Sequence, residues 1–171
     1  MTGTTIFWIL LIAVAVIAVF GIAQYNSLIR LNNSVSEGFA QIEVQLRRRS
    51  DLIPNLVETV KGYASHEKEA LERVVQARAA ATSASGVHDV AAADGQLTQA
   101  LRGLLAVSEA YPDLKASANF MQLQEELAAT ENKVAFARQY YNDSVVTLNT
   151  ALRTIPSMWF AGMAGVHERE M

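Results

Sequence analysis

Residues 6–23 read IFWILLIAVAVIAVFGIA, eighteen positions without a charge, and Arg30 is the first charged side chain of the chain. A run of this kind satisfies its own backbone polar groups in a bilayer only as a helix. At ~1.5 Å rise per residue it covers about 27 Å, close to the roughly 30 Å of a bilayer's hydrocarbon core. Trp8 and Tyr25 stand near its two ends, where amphipathic rings settle at the membrane–water boundary. A cleaved secretory signal needs a positively charged leader, and residues 1–5 (MTGTT) carry none. The expectation is a retained single-pass anchor over residues 1–24. Arg30 follows the span and no Lys or Arg precedes it, so the positive-inside rule places the rest of the chain in the cytoplasm.

Beyond the anchor the chain reads as helix. Ala, Leu, Gln and Glu are abundant, prolines number three, and apolar residues do not alternate with a period of two. Leu28, Leu31, Val35, Phe39, Ile42 and Leu46 recur at helical spacing, and so do Ile53, Leu56, Val57, Val60, Tyr63 and Ala64. Between the two runs lie Arg47-Arg48-Arg49-Ser50-Asp51 and, shortly after, Pro54. Proline is poorly tolerated in a helix interior but fits a first turn, where its missing amide has no partner anyway. This predicts a reversal near Ser50, with Ser50 as cap. A second helix follows over residues 51–83, with Gly86 as its terminal residue.

A third helix is expected over residues 87–110, with Leu97, Leu101, Leu104, Leu105 and Ser108 as its stripe. A fourth runs over residues 112–153, with Pro112 in its first turn. There Phe120, Leu123, Leu127, Thr130, Val134, Ala137, Tyr141, Ser144 and Leu148 alternate steps of three and four, a heptad stripe that needs partners along its length. Residues 157–171 form a tail with an apolar patch (Met158, Trp159, Phe160, Met163) ahead of a charged end.

Chemistry is sparse. The chain has no cysteine, which removes disulfides, thiolate metal sites and a cysteine nucleophile together. A net charge of −3 gives no electrostatic footprint for nucleic acid. His66-Glu67 and His167-Glu168 begin like a zinc-binding HExxH motif, but the positions for the second His hold Ala70 and Met171. No glycine-rich phosphate loop or nucleophile elbow is present. No catalytic, cofactor-binding or metal residue can be named, and the expectation is a non-enzyme without a cofactor.

The polar candidates are therefore structural or partner-binding. Arg47, Arg48 and Arg49 are expected at a helix C-terminus, where cations complement the dipole, with one of them paired to Asp51, Glu58 or an acid on a neighbouring helix. Asn55 lies in the same stretch. Glu131, Asn132, Arg138 and Asn142 lie beside or on the fourth helix's apolar stripe, where a polar group can set register. Trp8, Tyr25, Trp159 and Phe160 are the candidates for a membrane interface.

Two long blocks carry a resemblance. QIEVQLRRRSDLIPNLVETVKGYASHE and YPDLKASANFMQLQEELAATENKVAFARQYYND resemble the two signatures of the LemA family of bacterial membrane proteins. The similar region extends over residues 25–156. The resemblance implies a helical bundle behind one membrane helix in the bacterial cell membrane, with little chemistry; some relatives are associated with forming internal membranes. The expected fold is all-α, an elongated antiparallel bundle of about four helices whose first is continuous with the transmembrane helix. The expected role is a non-enzymatic scaffold or adaptor that binds protein partners and meets the lipid bilayer through residues 6–23. The alternative is a self-assembling membrane-shaping protein.

Overall fold

The structure is a computed structural model and describes residues 3–171. Among these residues every regular element is α-helical: α1 (Gly3–Tyr63), α2 (Lys68–Ser83), α3 (Val87–Ser108), α4 (Pro112–Lys115), α5 (Ala118–Arg153) and α6 (Met158–Ala164).

The first helix departs from expectation. It does not reverse at Ser50; it continues through Arg47–Arg49, Ser50, Asp51 and Pro54 to Tyr63. Ser50 is thus no cap but a buried mid-helix residue. Residues 51–63, expected to open a second helix, finish the first one. The reason lies in the stripe. Leu28, Val35, Ile42, Arg49 and Leu56 are buried and stand seven residues apart; Ile53 just before the proline is buried too, and Leu56 and Val60 continue the buried face beyond it. A heptad in phase on both sides of Pro54 keeps its core contact only if the helix is unbroken. The chain turns instead after Gly62-Tyr63, where Glu67 N–H closes a turn on Ala64 O at 3.1 Å.

Two smaller differences follow. Gly86 does not close α2; Ala84 is the C-cap of α2 and Gly86 stands as the N-cap of α3. The expected fourth helix is two: α4 ends at Lys115, and α5 begins after Ser117, whose Oγ accepts the Phe120 N–H at 3.5 Å. Among the described residues there are six helices rather than about four, two of them with seven residues or fewer.

The chain forms two compact units, Met1–Gly38 with Gln139–Met171, and Phe39–Arg138. In the second, Ile53, Leu56 and Val60 of α1 meet Leu71 and Val74 of α2, Leu97, Leu101 and Leu104 of α3, Leu114 of α4 and Phe120, Leu123 and Leu127 of α5. Each helix contributes one stripe, and stripes of this width need several partners to leave water. Tyr111 ties a corner by donating its hydroxyl to Glu67 Oε1 at 3.1 Å.

In the first unit, Leu28 and Val35 of α1 are buried, as are Tyr141, Val145 and Leu148 of α5. Val145 takes the buried place for which periodicity names Ser144, which is only half-buried. Gly38 marks a close approach: a Cβ there would stand 3.1 Å from Tyr141 Cα. The C-terminal residues are part of this unit. Val166 is buried, Arg169 exchanges two hydrogen bonds with Asn149 at 2.9 and 3.0 Å, and Tyr141 donates its hydroxyl to Glu170 O at 2.6 Å. Arg153 grips Glu168 with two hydrogen bonds of 2.7 Å.

Candidate functional site

The three consecutive arginines are separated by the helix they sit on. One residue on an α-helix is about 100° of turn, so only Arg49 falls in register with the core positions Ile42 and Leu56, seven residues away on either side. Arg49 is 4% exposed, while Arg47 and Arg48 are exposed. The cluster stands well before the end of α1 at Tyr63. The helix-end electrostatics expected of these residues therefore do not operate, because the dipole effect fades within the last turn.

A buried guanidinium must be paired, and Arg49 is. Its Nη1 lies 2.9 Å from Asp94 Oδ1 of α3 and 3.1 Å from Thr98 Oγ1, and its Nη2 lies 2.8 Å from Glu131 Oε2 of α5. Asp94 receives a second cation through its other oxygen, 2.8 Å from Arg138 Nη2 of α5. Two guanidiniums face two carboxylates, so the formal charges cancel. Arg49 and Asp94 are buried, whereas the side chains of Glu131 and Arg138 are 49% and 43% exposed.

The cluster has an unfilled remainder. Arg49 Nε, Ser50 Oγ and Gln45 Oε1 are buried without a hydrogen-bond partner among the described residues. Chemically the set is a lock. An arginine does not give up its proton in a protein, and each carboxylate is held by a cation. Joining α1, α3 and α5 at one level, these contacts specify which residue on each helix faces which, a use for which buried ions are better suited than for raw stability.

Of the residues named from sequence, Arg49, Glu131 and Arg138 meet here. Arg47, Arg48, Asp51, Asn55, Glu58, Asn132 and Asn142 are exposed and lie outside the cluster. Arg49 pairs neither with Asp51 nor with Glu58 but with acids on neighbouring helices. Asp94, the acid both arginines share, was missed, although the signal existed: the stripe of α3 carried back from Leu97 and Leu101 reaches Val90 and Asp94.

Beside the cluster runs a groove between α1, α2 and α3. Glu43, Val44 and Arg47 line it from α1, Ala81 and Thr82 from α2, and Val90 from α3. Val44 is 62% exposed.

In the other unit, the N-terminal part of α1 is long and apolar enough to cross a membrane, and none of that window is buried by the rest of the protein. Trp8 and Tyr25 are exposed near its ends. Trp159 is exposed, whereas Phe160 is half-buried against α1.

These features define an all-helical protein with an N-terminal membrane-type helix and an ion cluster that joins three of its helices. A family model described as LemA family matches residues 38–171, and the chain belongs to that family. It is 24% identical over 157 residues to Protein LemA of Metamycoplasma hominis, covering 90% of this chain and 72% of the relative. It is 23% identical over 168 residues to magnetosome protein MamQ of Magnetospirillum gryphiswaldense, covering 83% of this chain. The chain spans 62% of that MamQ protein's length. A similar match, at 23% identity and 64% of the relative's length, is to magnetosome protein MamQ 2 of Paramagnetospirillum magneticum.

Proposed function

We propose that this protein is a membrane-anchored, non-enzymatic scaffold that presents a helical bundle to protein partners. The observation that carries this reading is the division of labour within Arg47–Arg49. Arg49 is consumed in holding α1, α3 and α5 together, while Arg47 and the apolar Val44 line an open groove on the surface so fixed. A surface with an apolar floor, a rim carrying both Glu43 and Arg47, and rigid helical walls suits a protein segment that brings apolar side chains flanked by charges of both signs. The anchor is the apolar span, and Arg30 immediately after it favours a cytoplasmic bundle.

The second reading is a self-assembling membrane-shaping protein, favoured by the similarity to magnetosome proteins. A photo-crosslinking side chain at Val44, irradiated in native membranes and followed by mass spectrometry, separates the two. A defined foreign protein joined at Val44, and lost in the Arg47→Glu variant, supports the scaffold. Crosslinks only to copies of this chain support self-assembly.

A further inference from the structure

Helix α6, MWFAGMA, contains no charge and no hydrogen-bonding side chain beyond the Trp159 indole. It is fastened to α1 at the end of the apolar span. The Phe160 ring covers Gly21, where an added Cβ would stand 3.2 Å from Cε1, and Ser157 donates its hydroxyl to Gln24 Oε1 at 3.1 Å. Phe160, Ala161 and Ala164 are the half-buried side. The opposite side carries Trp159 and Met163, four residues apart and 67% and 69% exposed, with Met158 at 45%; Ile155, three residues before the helix begins, is 67% exposed.

This is not a frayed end. The residues after α6 are held by the Arg153–Glu168 pair, the Asn149–Arg169 exchange and the bond from Arg169 Nη2 to Asn32 Oδ1 at 3.1 Å. Secured on both sides, α6 holds its outer apolar face outward. A helix apolar on every side belongs in a core or in a membrane, and half of this one has no protein against it. The exposed face of α1 alongside, including Phe20 and Ile22, is the apolar span itself.

We infer that α6 is a second membrane contact, with Trp159 and Met163 entering the interfacial layer of the bilayer that α1 crosses. The inference rests on the reading of residues 6–23 as a membrane span. At ~1.5 Å per residue, Gly21 lies about 3 Å inside the end of that span. The side chains fixed there reach the boundary between acyl chains and headgroups, the depth at which tryptophan settles. The partner is lipid rather than protein because the patch continues the span's own lipid-facing surface. It carries no Lys or Arg, and the neighbouring guanidiniums of Arg153 and Arg169 are occupied within the protein. Attraction to anionic headgroups is therefore not required, and uncharged phosphatidylcholine suffices.

The test uses the full chain reconstituted in phosphatidylcholine vesicles, with and without lipids brominated near the headgroup. The Trp8→Phe variant leaves Trp159 as the sole tryptophan, and the Trp159→Phe variant leaves Trp8. In the first, Trp159 emission should be blue-shifted, lose most of its intensity in brominated lipid, resist acrylamide, and change little between low and high salt. Quenching by acrylamide without quenching by bromine would put Trp159 in water and overturn the inference. Shielding from both quenchers would seat a protein on the patch and overturn it equally. Trp8 distinguishes the failures. If Trp8 is quenched by bromine and Trp159 is not, the anchor stands and α6 alone is wrong. If neither is quenched, both readings fall.

Discussion

Arg78 donates its Nε–H to the carbonyl oxygen of Ser50 at 2.9 Å. Ser50 is the residue four before Pro54, so its carbonyl is the one whose helical partner a proline removes. A side chain from α2 fills the gap, and α1 continues where local rules would end it.

A cycle on these residues tests the substitution of one donor for another. Arg78→Met should destabilise the protein by about 1–2 kcal/mol, the range for a hydrogen bond from a charged donor lost at a part-buried acceptor. Pro54→Ala restores the helical amide and should stabilise, by at most the ~3 kcal/mol that separates proline from alanine in a helix interior. In the Pro54→Ala background, Arg78→Met should cost less. Urea titrations followed by circular dichroism measure all four corners, and equal costs in both backgrounds would sever the link.

The buried pair is predicted to be expensive to break and cheap to replace. Asp94→Asn leaves Arg49 without its buried counter-charge and should cost about 3–5 kcal/mol. Arg49→Met with Asp94→Leu exchanges ions for apolar volume and should come out near neutral or more stable. Glu131→Gln removes a half-exposed partner and should cost no more than about 1 kcal/mol. Denaturant midpoints of the three variants give the order; a mild Asp94→Asn would mean that the cluster does not hold Arg49.

The close approach at Gly38 predicts a steric series. Gly38→Ala places a methyl 3.1 Å from the Tyr141 backbone and 3.2 Å from the Tyr140 ring. The gain of about 1 kcal/mol in helix propensity is then offset by an overpacking cost of about 1–3 kcal/mol. Gly38→Val adds more volume for a smaller propensity gain and should be clearly destabilising. At Gly21 the nearest atom is a side-chain ring edge, which can swing aside, so Gly21→Ala should be milder. Thermal melts of the three variants rank them.

Docking of the C-terminal residues should be lost in acid. The hydrogen bonds from Arg153 hold the Glu168 carboxyl below its ordinary range, and the same pair raises Arg153. A carboxylate depressed in the folded state contributes stability above the ordinary glutamate range and loses it as pH falls through the folded value. Amide hydrogen exchange at residues 166–171, normalised to intrinsic rates, should therefore accelerate as the pH drops below that of ordinary carboxylates. In Glu168→Gln exchange should already be faster at neutral pH, and its response to acid should be flatter.

Much of this protein is readable from periodicity. The charge-free run of residues 6–23 reads as a helix long and apolar enough to cross a membrane, and α1 contains it. The stripe of α5 is set by its heptads: Phe120, Leu127, Val134, Tyr141 and Leu148 are buried as their spacing requires. The family, too, is legible in the two long blocks.

What periodicity could not supply was the outcome of contacts far apart in the chain. Proline's local cost argues for a break at Pro54, and only Arg78, 28 residues beyond Ser50, together with a core stripe in phase on both sides, outweighs it. Three adjacent arginines are equivalent as letters; rotation about α1 buries the third. Its partner Asp94 lies 45 residues away on another helix; the α3 stripe can mark Asp94 as inward-facing, but only packing decides which charges meet.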